Sequence, residues 1–211
     1  GHDEYWTVPE RDAVEKARGQ GMNLAFLGAN AVYWRVRLED GPLGADRMLA
    51  GYKEAALDPV KGPTTTSMWR QLPQPRPENS LVGMLYECFP ARGDFAVLDP
   101  GFFLYQGTGA KAGSSYRNLV GTEIDRAYPI AGTPKTLQVV AHTPVACGPT
   151  SRTFSDATYY TDPSGAGVFA TGTMMWVTAL AGSIGTTGLD QNAITFAQKV
   201  TDTLFTEMAK G

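Results

Sequence analysis

The first six residues carry a dense group of reactive side chains. They read Gly-His-Asp-Glu-Tyr-Trp and supply an imidazole, two carboxylates, a phenol and an indole. Such groups are costly to crowd together unless they bind something or stay solvated. One interpretation is a site for a metal ion or a polar substrate, with His2, Asp3, Glu4 and Tyr5 as possible ligands. The other, favoured by composition alone, is a solvated terminus in which Trp6 packs inward.

A tight turn, Gly28-Ala29-Asn30, follows a short apolar run and is the next candidate. α/β hydrolases and class I amidotransferases place a nucleophile at such a turn. Ala29 and Asn30 cannot act as nucleophiles, so acyl transfer by that route is excluded. Asn30 can still orient a ligand, and a simple turn between elements is an equally good alternative.

Glu78 stands between Pro77 and Asn79, in a backbone restricted by the proline ring. In this position the carboxylate can serve as a metal ligand or as a base. Glu87, on a predicted strand, is a nearby alternative carboxylate. The competing interpretation is a surface turn in which Glu78 forms a salt bridge.

Glu123, Asp125 and Arg126 form a further group, in which one acid can serve as a base while the other pairs with Arg126. The alternative is a surface ion pair, which contributes little to stability. His142 stands alone at a predicted strand end, where a structural role is more common than a ligand role. The sequence contains no recognisable Ser-His-Asp set, catalytic thiol motif, phosphate loop or dinucleotide fingerprint.

The composition indicates a chain with a sizeable core. Of 211 residues, 43% are hydrophobic and 18% charged, which favours one folded domain over disorder. The net charge is -3 without a basic run, so no nucleic-acid partner is expected. No apolar run approaches the roughly 20 residues of a membrane-spanning helix. The 24 Gly and 14 Pro favour turns and short strands over a helical bundle.

The two cysteines, Cys88 and Cys147, do not have the spacing of a metal site. They can pair in an oxidising compartment or remain small buried residues, and the residues alone leave both possibilities open.

The elements that would position these side chains begin with a helix. Thr7 is a suitable N-cap, Glu10 completes a capping box, and Pro9 lies in the first turn. The apolar run over residues 22–27 then predicts a strand buried on both faces, as in a parallel sheet. Ligands bind at the carboxyl ends of such strands. The 28–30 turn, together with the first six residues, is therefore expected at that edge.

The remaining pattern is rich in β signals. Strands are predicted over residues 33–38, 81–87, 95–98, 102–106, 136–141, 156–161 and 168–177, and more weakly over 47–52. Residues 118–128 are expected to form a short helix or a loop, 40–80 a surface excursion, and 182–188 a flexible loop. Residues 190–208 predict an amphipathic helix capped by Asp190, with Ile194, Ala197, Thr201, Leu204, Phe205 and Met208 on its apolar face.

Several stretches then resemble one known family, and they keep its order along nearly the whole chain. They are residues 1–6, 23–30, 76–79, 107–109, 119–126 and 155–160 with 165–169. In these stretches the sequence resembles the C-terminal domain of the large (β) subunit of N,N-dimethylformamidase and its bacterial relatives. The resemblance implies an α/β three-layer sandwich similar to class I glutamine amidotransferases, with a β-rich elaboration.

The resemblance also implies a metal site. The formamidase hydrolyses a small amide with a single iron held by two tyrosines and one glutamate. Tyr5 matches the motif that carries one of those tyrosines, Glu78 is the best match for the glutamate, and Glu123 is a candidate nearby acid or base. The other tyrosine is expected upstream of the opening motif. The chain is therefore expected to be the C-terminal part of a longer protein, or to have an incomplete iron site.

The leading hypothesis is a metal-dependent, hydrolase-like domain acting on C–N bonds. Tyr5 and Glu78 would bind iron, Glu123 would transfer protons, and His2, Asn30 and Asn79 would complete the catalytic group. The expected partners are a small-molecule substrate or the missing N-terminal segment, with a homo-oligomer as a possibility. Relatives of this family include exported proteins, which would suit a Cys88–Cys147 disulfide.

Two other hypotheses remain. The first is a non-catalytic exported surface or assembly module, in which aromatic residues such as Trp34, Trp69 and Trp176 contact glycans or proteins. The second is a carbohydrate-active enzyme with Glu78 and Glu123 as its acid pair, which rests only on the number of carboxylates.

Overall fold

The structure, a computed structural model, describes residues 2–149, 151–182 and 187–210, and opens with a strand–helix–strand unit. β1 (Tyr5–Thr7) leads into α1 (Val8–Gly19), and β2 (Leu24–Phe26) follows. The Thr7 hydroxyl accepts the Glu10 N–H, while the Glu10 carboxylate accepts the Thr7 N–H at 2.7 Å. This capping box confirms the predicted helix start, because it satisfies N–H groups that a helix otherwise leaves unpaired.

A small sheet forms around β3 (Trp34–Gly41). β1 runs parallel to β3, while β4 (Gly44–Ala50) and β5 (Ser67–Met68) run antiparallel to it. β4 and most of the chain that follows it are exposed until the backbone becomes buried again from Thr65 to Ser67 and at Trp69. The strands predicted over residues 33–38 and 47–52 are thus present.

The second sheet has the strand order β2-β10-β9-β8-β6-β7. Its members after β2 are β6 (Leu85–Ala96), β7 (Ser115–Arg126), β8 (Gln138–Cys147), β9 (Ser151–Thr161) and β10 (Gly167–Ala170). β2 and β10 pair in parallel, as the apolar run predicted, and the other neighbours are antiparallel. β2 is not buried on both faces, because Ala25 is exposed.

The two sheets meet where β2 ends and β1 begins. An isolated parallel bridge pairs His2 with Ala29, so the residues before β1 lie beside the turn after β2. This junction confirms that the two stretches share an edge. The mixed α/β class is also confirmed, but the curled sheets and few helices of the described residues do not show a three-layer sandwich.

Two apolar clusters fill the core. The larger lies between the second sheet and the helices α3 (Met175–Leu180) and α4 (Gln191–Met208), around Phe95, Trp176 and Phe196. The smaller includes Trp6 and Trp69. Asp190 caps α4 by accepting the Ala193 N–H at 2.8 Å, as predicted. Ile194, Ala197, Thr201 and Leu204 are buried and Met208 packs at the edge of the cluster, but the inward placement of Phe205 was wrong, since it is 60% exposed.

Several element predictions were wrong in the middle of the chain. Residues 118–128 lie largely in β7 rather than in a helix or loop, because they pair with β6 along its length. Residues 102–106 form a 3-10 turn (Phe103–Tyr105) instead of a strand. The strand predicted from residue 81 begins only at Leu85, after the short helix α2 (Asn79–Val82), and the one predicted over 168–177 ends at Ala170. Most of the 182–188 loop falls outside the described residues.

Cys88 and Cys147 form a disulfide that joins β6 to the end of β8, with 6.1 Å between their Cα atoms. The pairing that the resemblance favoured is therefore confirmed. None of the helices in the described ranges has both the length and the apolar character needed to span a membrane.

Candidate active site at the junction of the sheets

His2 and Glu123 meet at the junction of the two sheets. The bridge to Ala29 positions His2, and β7 positions Glu123. His2 Nε2 lies 2.8 Å from Glu123 Oε2 and 3.7 Å from Glu4 Oε2. The side chain of His2 is 39% exposed, against 16% for Glu123 and 14% for Glu4. Glu123 Oε2 has no hydrogen-bond donor with suitable geometry in the described part of the chain. Its contact with His2 is therefore close enough for an ion pair but is not aligned as a hydrogen bond.

Asn30 links the acidic side chains of the two sheets. Its backbone N–H donates to Asp125 Oδ1 at 2.8 Å, and its side-chain Nδ2 donates to Glu4 Oε1 at 3.2 Å. Trp34 Nε1 donates to the same Glu4 oxygen at 2.9 Å. The backbone of Asn30 is left-handed, with φ 56°, a conformation that asparagine tolerates better than most residues. Asn30 therefore holds the carboxylates of Glu4 and Asp125 in place.

Two phenols complete the cluster. The rings of Tyr33 and Tyr86 pack edge to face with centroids 5.1 Å apart, and Tyr86 pairs with Asp125 across β6 and β7. Burial, and then the charge of Glu123, raises the pKa of Tyr86 to about 12. Burial also raises the pKa of Tyr33, against the opposing charge of Arg70. Both phenols are consequently protonated near neutral pH and can donate hydrogen bonds.

Asp125 is a buried carboxyl beneath this cluster. Burial raises its pKa to about 7, the Asn30 N–H and Arg70 oppose that shift, and the charges of Glu78 and Glu123 add to it. Neutral and ionised Asp125 therefore coexist near neutral pH. Arg126 does not pair with Asp125, contrary to the expected ion pair, and instead lies 3.7 Å from Glu87 Oε1. Their side chains leave opposite faces of β7, because they are consecutive strand residues.

Glu78 is buried and held by a guanidinium. Arg70 Nε lies 3.0 Å from Glu78 Oε1 and 3.3 Å from Oε2, and Arg70 Nη2 also donates to Oε1. The guanidinium carbon of Arg70 lies 5.2 Å from the centre of the Tyr33 ring. Glu78 thus adjoins the cluster through Arg70. Its neighbour Asn79 points elsewhere, since its amide donates to Ala131 O and Thr133 Oγ1.

Tyr5 has different partners from Glu78. Its side chain is 44% exposed, with Lys53 Nζ 5.5 Å from the ring centre, and it lines a shallow groove with Trp6 and Glu10. Within the described ranges, no group of three His, Cys, Asp or Glu side chains is arranged to hold a metal. The binding of iron by Tyr5 and Glu78 stays a prediction.

His142 and Glu87 lie outside the cluster. His142 Nδ1 lies 2.6 Å from Asp156 Oδ1, and its ring stacks on Phe154, which agrees with the structural role favoured from the sequence. Glu87 accepts hydrogen bonds from Tyr128 and Thr153.

The sequence did not single out Tyr33, Tyr86 or Arg70. The two tyrosines occupy predicted strands, where an aromatic side chain is ordinarily explained by packing. The only available signal was the position of Tyr33 three residues after Asn30, at the edge where ligand-binding groups were expected.

The arrangement can support acid–base chemistry on a carbonyl compound. It places a carboxylate and an imidazole at contact distance, next to two protonated phenols. A carboxylate or imidazole can accept a proton from water, and phenols can stabilise a developing oxyanion.

The sequence also matches a protein family. The family model described as N,N-dimethylformamidase beta subunit-like, C-terminal, matches residues 1–192. No curated protein matches the sequence.

Proposed function

This chain belongs to the N,N-dimethylformamidase beta subunit-like C-terminal family, and from that we propose a hydrolase-related domain that acts on the C–N bond of a small amide. The observation that supports it best is the 2.8 Å pair of His2 and Glu123 beside Tyr33 and Tyr86. These residues come from distant parts of the chain, and their types match the requirements of amide hydrolysis.

In this proposal Glu123 acts as the general base. It takes a proton from water as the water oxygen bonds to the amide carbonyl carbon. Tyr33 and Tyr86 donate hydrogen bonds to the carbonyl oxygen, which becomes negatively charged. The C–N bond then breaks, and the proton passes through Glu123 and His2 to the leaving nitrogen. The products are a carboxylic acid and an amine.

The two asparagines have positioning roles in the same proposal. Asn30 keeps Glu4 and Asp125 in place through its side chain and backbone. Asn79 acts less directly, through the 131–133 loop that its amide holds.

The test is hydrolysis of small N-substituted amides by the full-length protein and by its Glu123→Gln variant. The expected loss of turnover is about 100-fold or more, because general acid–base groups typically contribute that much. Glu54→Gln, at an exposed position, is the matched control and should retain activity. Equal turnover by the Glu123→Gln and control variants, or none by the parent protein, would contradict the proposal.

The resemblance adds a finer proposal, in which iron is the Lewis acid. Bound there, iron would polarise the carbonyl group and lower the pKa of a bound water. Phenol and carboxylate oxygens are hard donors suited to such an ion. Tyr5 and Glu78 would hold the iron in this proposal, and the steps above are derived from the other side chains alone.

Metal analysis of the full-length protein tests the iron proposal. Stoichiometric iron is expected, with losses in Tyr5→Phe and Glu78→Gln but not in the exposed control Tyr52→Phe. An iron-free protein whose stability is unchanged by Tyr5→Phe would refute Tyr5 as a ligand.

We also propose that the domain retains the core of class I glutamine amidotransferases. Four strands support this: β3, β1, β2 and β10 run in one direction, and α1 connects β1 to β2. The antiparallel strands β6 to β9 would be the β-rich elaboration.

The family description supports proposals about partners and location. A C-terminal domain of a β subunit implies a longer protein and a further polypeptide, with a homo-oligomer as another possible assembly. The Cys88–Cys147 disulfide supports export to an oxidising compartment.

The competing proposal is a non-catalytic exported module. In that hypothesis Trp34, Trp69 and Trp176 contact a glycan or a protein. This was wrong for Trp69 and Trp176, which are both fully buried. Trp34 donates a hydrogen bond to Glu4 in the candidate site. The amide hydrolysis assay distinguishes this proposal from the first.

A further inference from the structure

Three guanidinium groups surround the buried indole of Trp69. Their central carbons lie 4.6 Å (Arg11), 4.3 Å (Arg35) and 5.4 Å (Arg76) from the ring centre. Trp69 and Arg11 have no exposed surface, and Arg35 is 1% exposed. Cation–π contacts favour each approach, but the three positive charges, of which Arg76 is 32% exposed, also repel one another.

Two of the three guanidiniums have carboxylate partners. Arg11 Nε lies 2.8 Å from Glu15, and Arg76 lies 2.7 Å from both Asp12 and Glu15. Arg11 also donates to Pro77 O and Ser80 Oγ, each at 3.1 Å. Arg11 and Arg76 are therefore neutralised and largely satisfied.

Arg35 differs from both neighbours. Its Nη2 donates to Gln74 O at 2.5 Å, while Nε and Nη1 are buried without a hydrogen-bond partner in the described part of the chain. Trp69 Nε1 is likewise buried without a hydrogen-bond partner among the described residues. No carboxylate among the described residues forms an ion pair with Arg35. Within the described ranges, three N–H-bearing nitrogens of these two contacting side chains thus lack an acceptor.

The charges of the side chains around Trp69 are also unbalanced. Among the described residues, three guanidiniums meet two carboxylates at Trp69, which leaves one positive charge in excess. Burial, and then the charges of Arg76 and Arg11, lowers the pKa of Arg35 to about 10, so it remains protonated at neutral pH. A buried charge without a counter-ion is strongly destabilising. A water molecule can accept the N–H groups, but only an anion also removes the excess charge.

We propose that Arg35 and Trp69 form a buried binding site for a small anion. Their burial excludes a peptide or a nucleotide, so the ligand class is a halide or a small carboxylate such as formate. The anion would connect β3, which carries Arg35, to the segment from Trp69 to Arg76 and to α1 beyond it. That segment continues directly to Glu78, so the anion would stabilise the backbone that positions Glu78 beside the candidate active site.

Thermal unfolding of the full-length protein in chloride, bromide, formate and gluconate at one ionic strength tests the proposal. Gluconate is too large for the site and serves as the reference. A saturable rise in Tm of roughly 5 °C in chloride or formate is expected, since a ligand bound only to the folded state stabilises it. A rise with formate alone would identify a carboxylate site, and a rise with halides a halide site.

Two variants with matched controls locate the effect. Arg35→Met removes the charge and its donors and should abolish the anion-dependent rise, whereas Arg47→Met, on exposed β4, should retain it. Trp69→Phe removes one N–H and should raise the half-saturating concentration about tenfold. Trp176→Phe, which loses the bond to Thr201 Oγ1, should leave that concentration unchanged.

Crystals grown in bromide, and others grown in formate, give a direct measurement if Arg35→Met fails to fold. An anomalous peak or a formate molecule within hydrogen-bond distance of Arg35 would support the site. The proposal is overturned if Tm is the same in all four salts, or if only water occupies the position next to Arg35.

Discussion

At the scale of single residues, Asn30 shows what side chain and backbone contribute separately. Its side chain donates to Glu4, whereas its backbone N–H donates to Asp125. The side-chain role could be predicted, because an Asn in a turn after a strand commonly orients other groups. The backbone contact could not, because it joins distant residues that only the completed fold brings together.

The protonation of Asp125 gives a prediction about stability and pH. Its pKa is raised from 3.8 to about 7 by burial, so the folded protein keeps a proton that the unfolded chain has lost. The stabilisation that this proton gives is fully present below pH 4 and is lost as pH rises through about 7. Asp125→Asn removes this dependence, so its stability relative to the parent should rise across that range.

Chemical unfolding at several pH values between 4 and 8 measures the Asp125 effect. The difference in the free energy of unfolding between the variant and the parent should change by an amount on the order of a few kcal/mol over this pH range. Asp202→Asn, on the exposed side of α4, should show the same dependence of the free energy of unfolding on pH as the parent. Parallel curves for Asp125→Asn would mean that Asp125 is already ionised in the folded protein.

At the scale of helices and strands, the sequence predicted the helix starts, which are determined by local interactions. The start of α1 was predicted from Thr7 and Glu10, and that of α4 from Asp190, because each cap is made within three residues. β7 was missed because its strand conformation depends on pairing with β6, in another part of the chain. Strand preference is weak on its own and depends strongly on such neighbours.

Gly172 gives a prediction at this scale, because it lies where β7, β9 and β10 converge. Its φ is 62°, and its carbonyl accepts from Asp125 N at 3.0 Å and Ser155 Oγ at 3.1 Å. A Cβ there would overlap the carbonyl oxygen of Asp156. Gly172→Ala should therefore reduce the free energy of unfolding by about 3 kcal/mol or more.

Gly165→Ala is the matched control for Gly172→Ala. Gly165 also has a positive φ, 92°, but no atom lies near its missing Cβ. Only the backbone cost applies there, about 1–2 kcal/mol. Equal losses at the two positions in denaturant unfolding would show that the strands separate easily enough to accept a methyl group.

At the scale of the whole molecule, the candidate site is divided between two sheets. His2, Glu4 and Tyr33 border the small sheet, while Tyr86 and Glu123 belong to the large one. His2, Asn30 and Glu123 could be proposed from the sequence because their stretches carry recognisable motifs. Tyr33 and Tyr86 could not, since their function depends on how the curled second sheet meets the first.

The junction between the sheets also has a consequence for folding. The bridge between His2 and Ala29 closes only a short loop, which the capped helix α1 shortens further. Glu123 lies far from His2 along the chain, on β7, which is held by pairing with β6 and by a bridge from Ile124 to Thr173. Contacts between such distant residues form slowly, because the entropy of closing long loops must be overcome first. We therefore expect the His2–Glu123 pair to form late in folding, so that refolding protein regains its helices, followed by circular dichroism, before its activity.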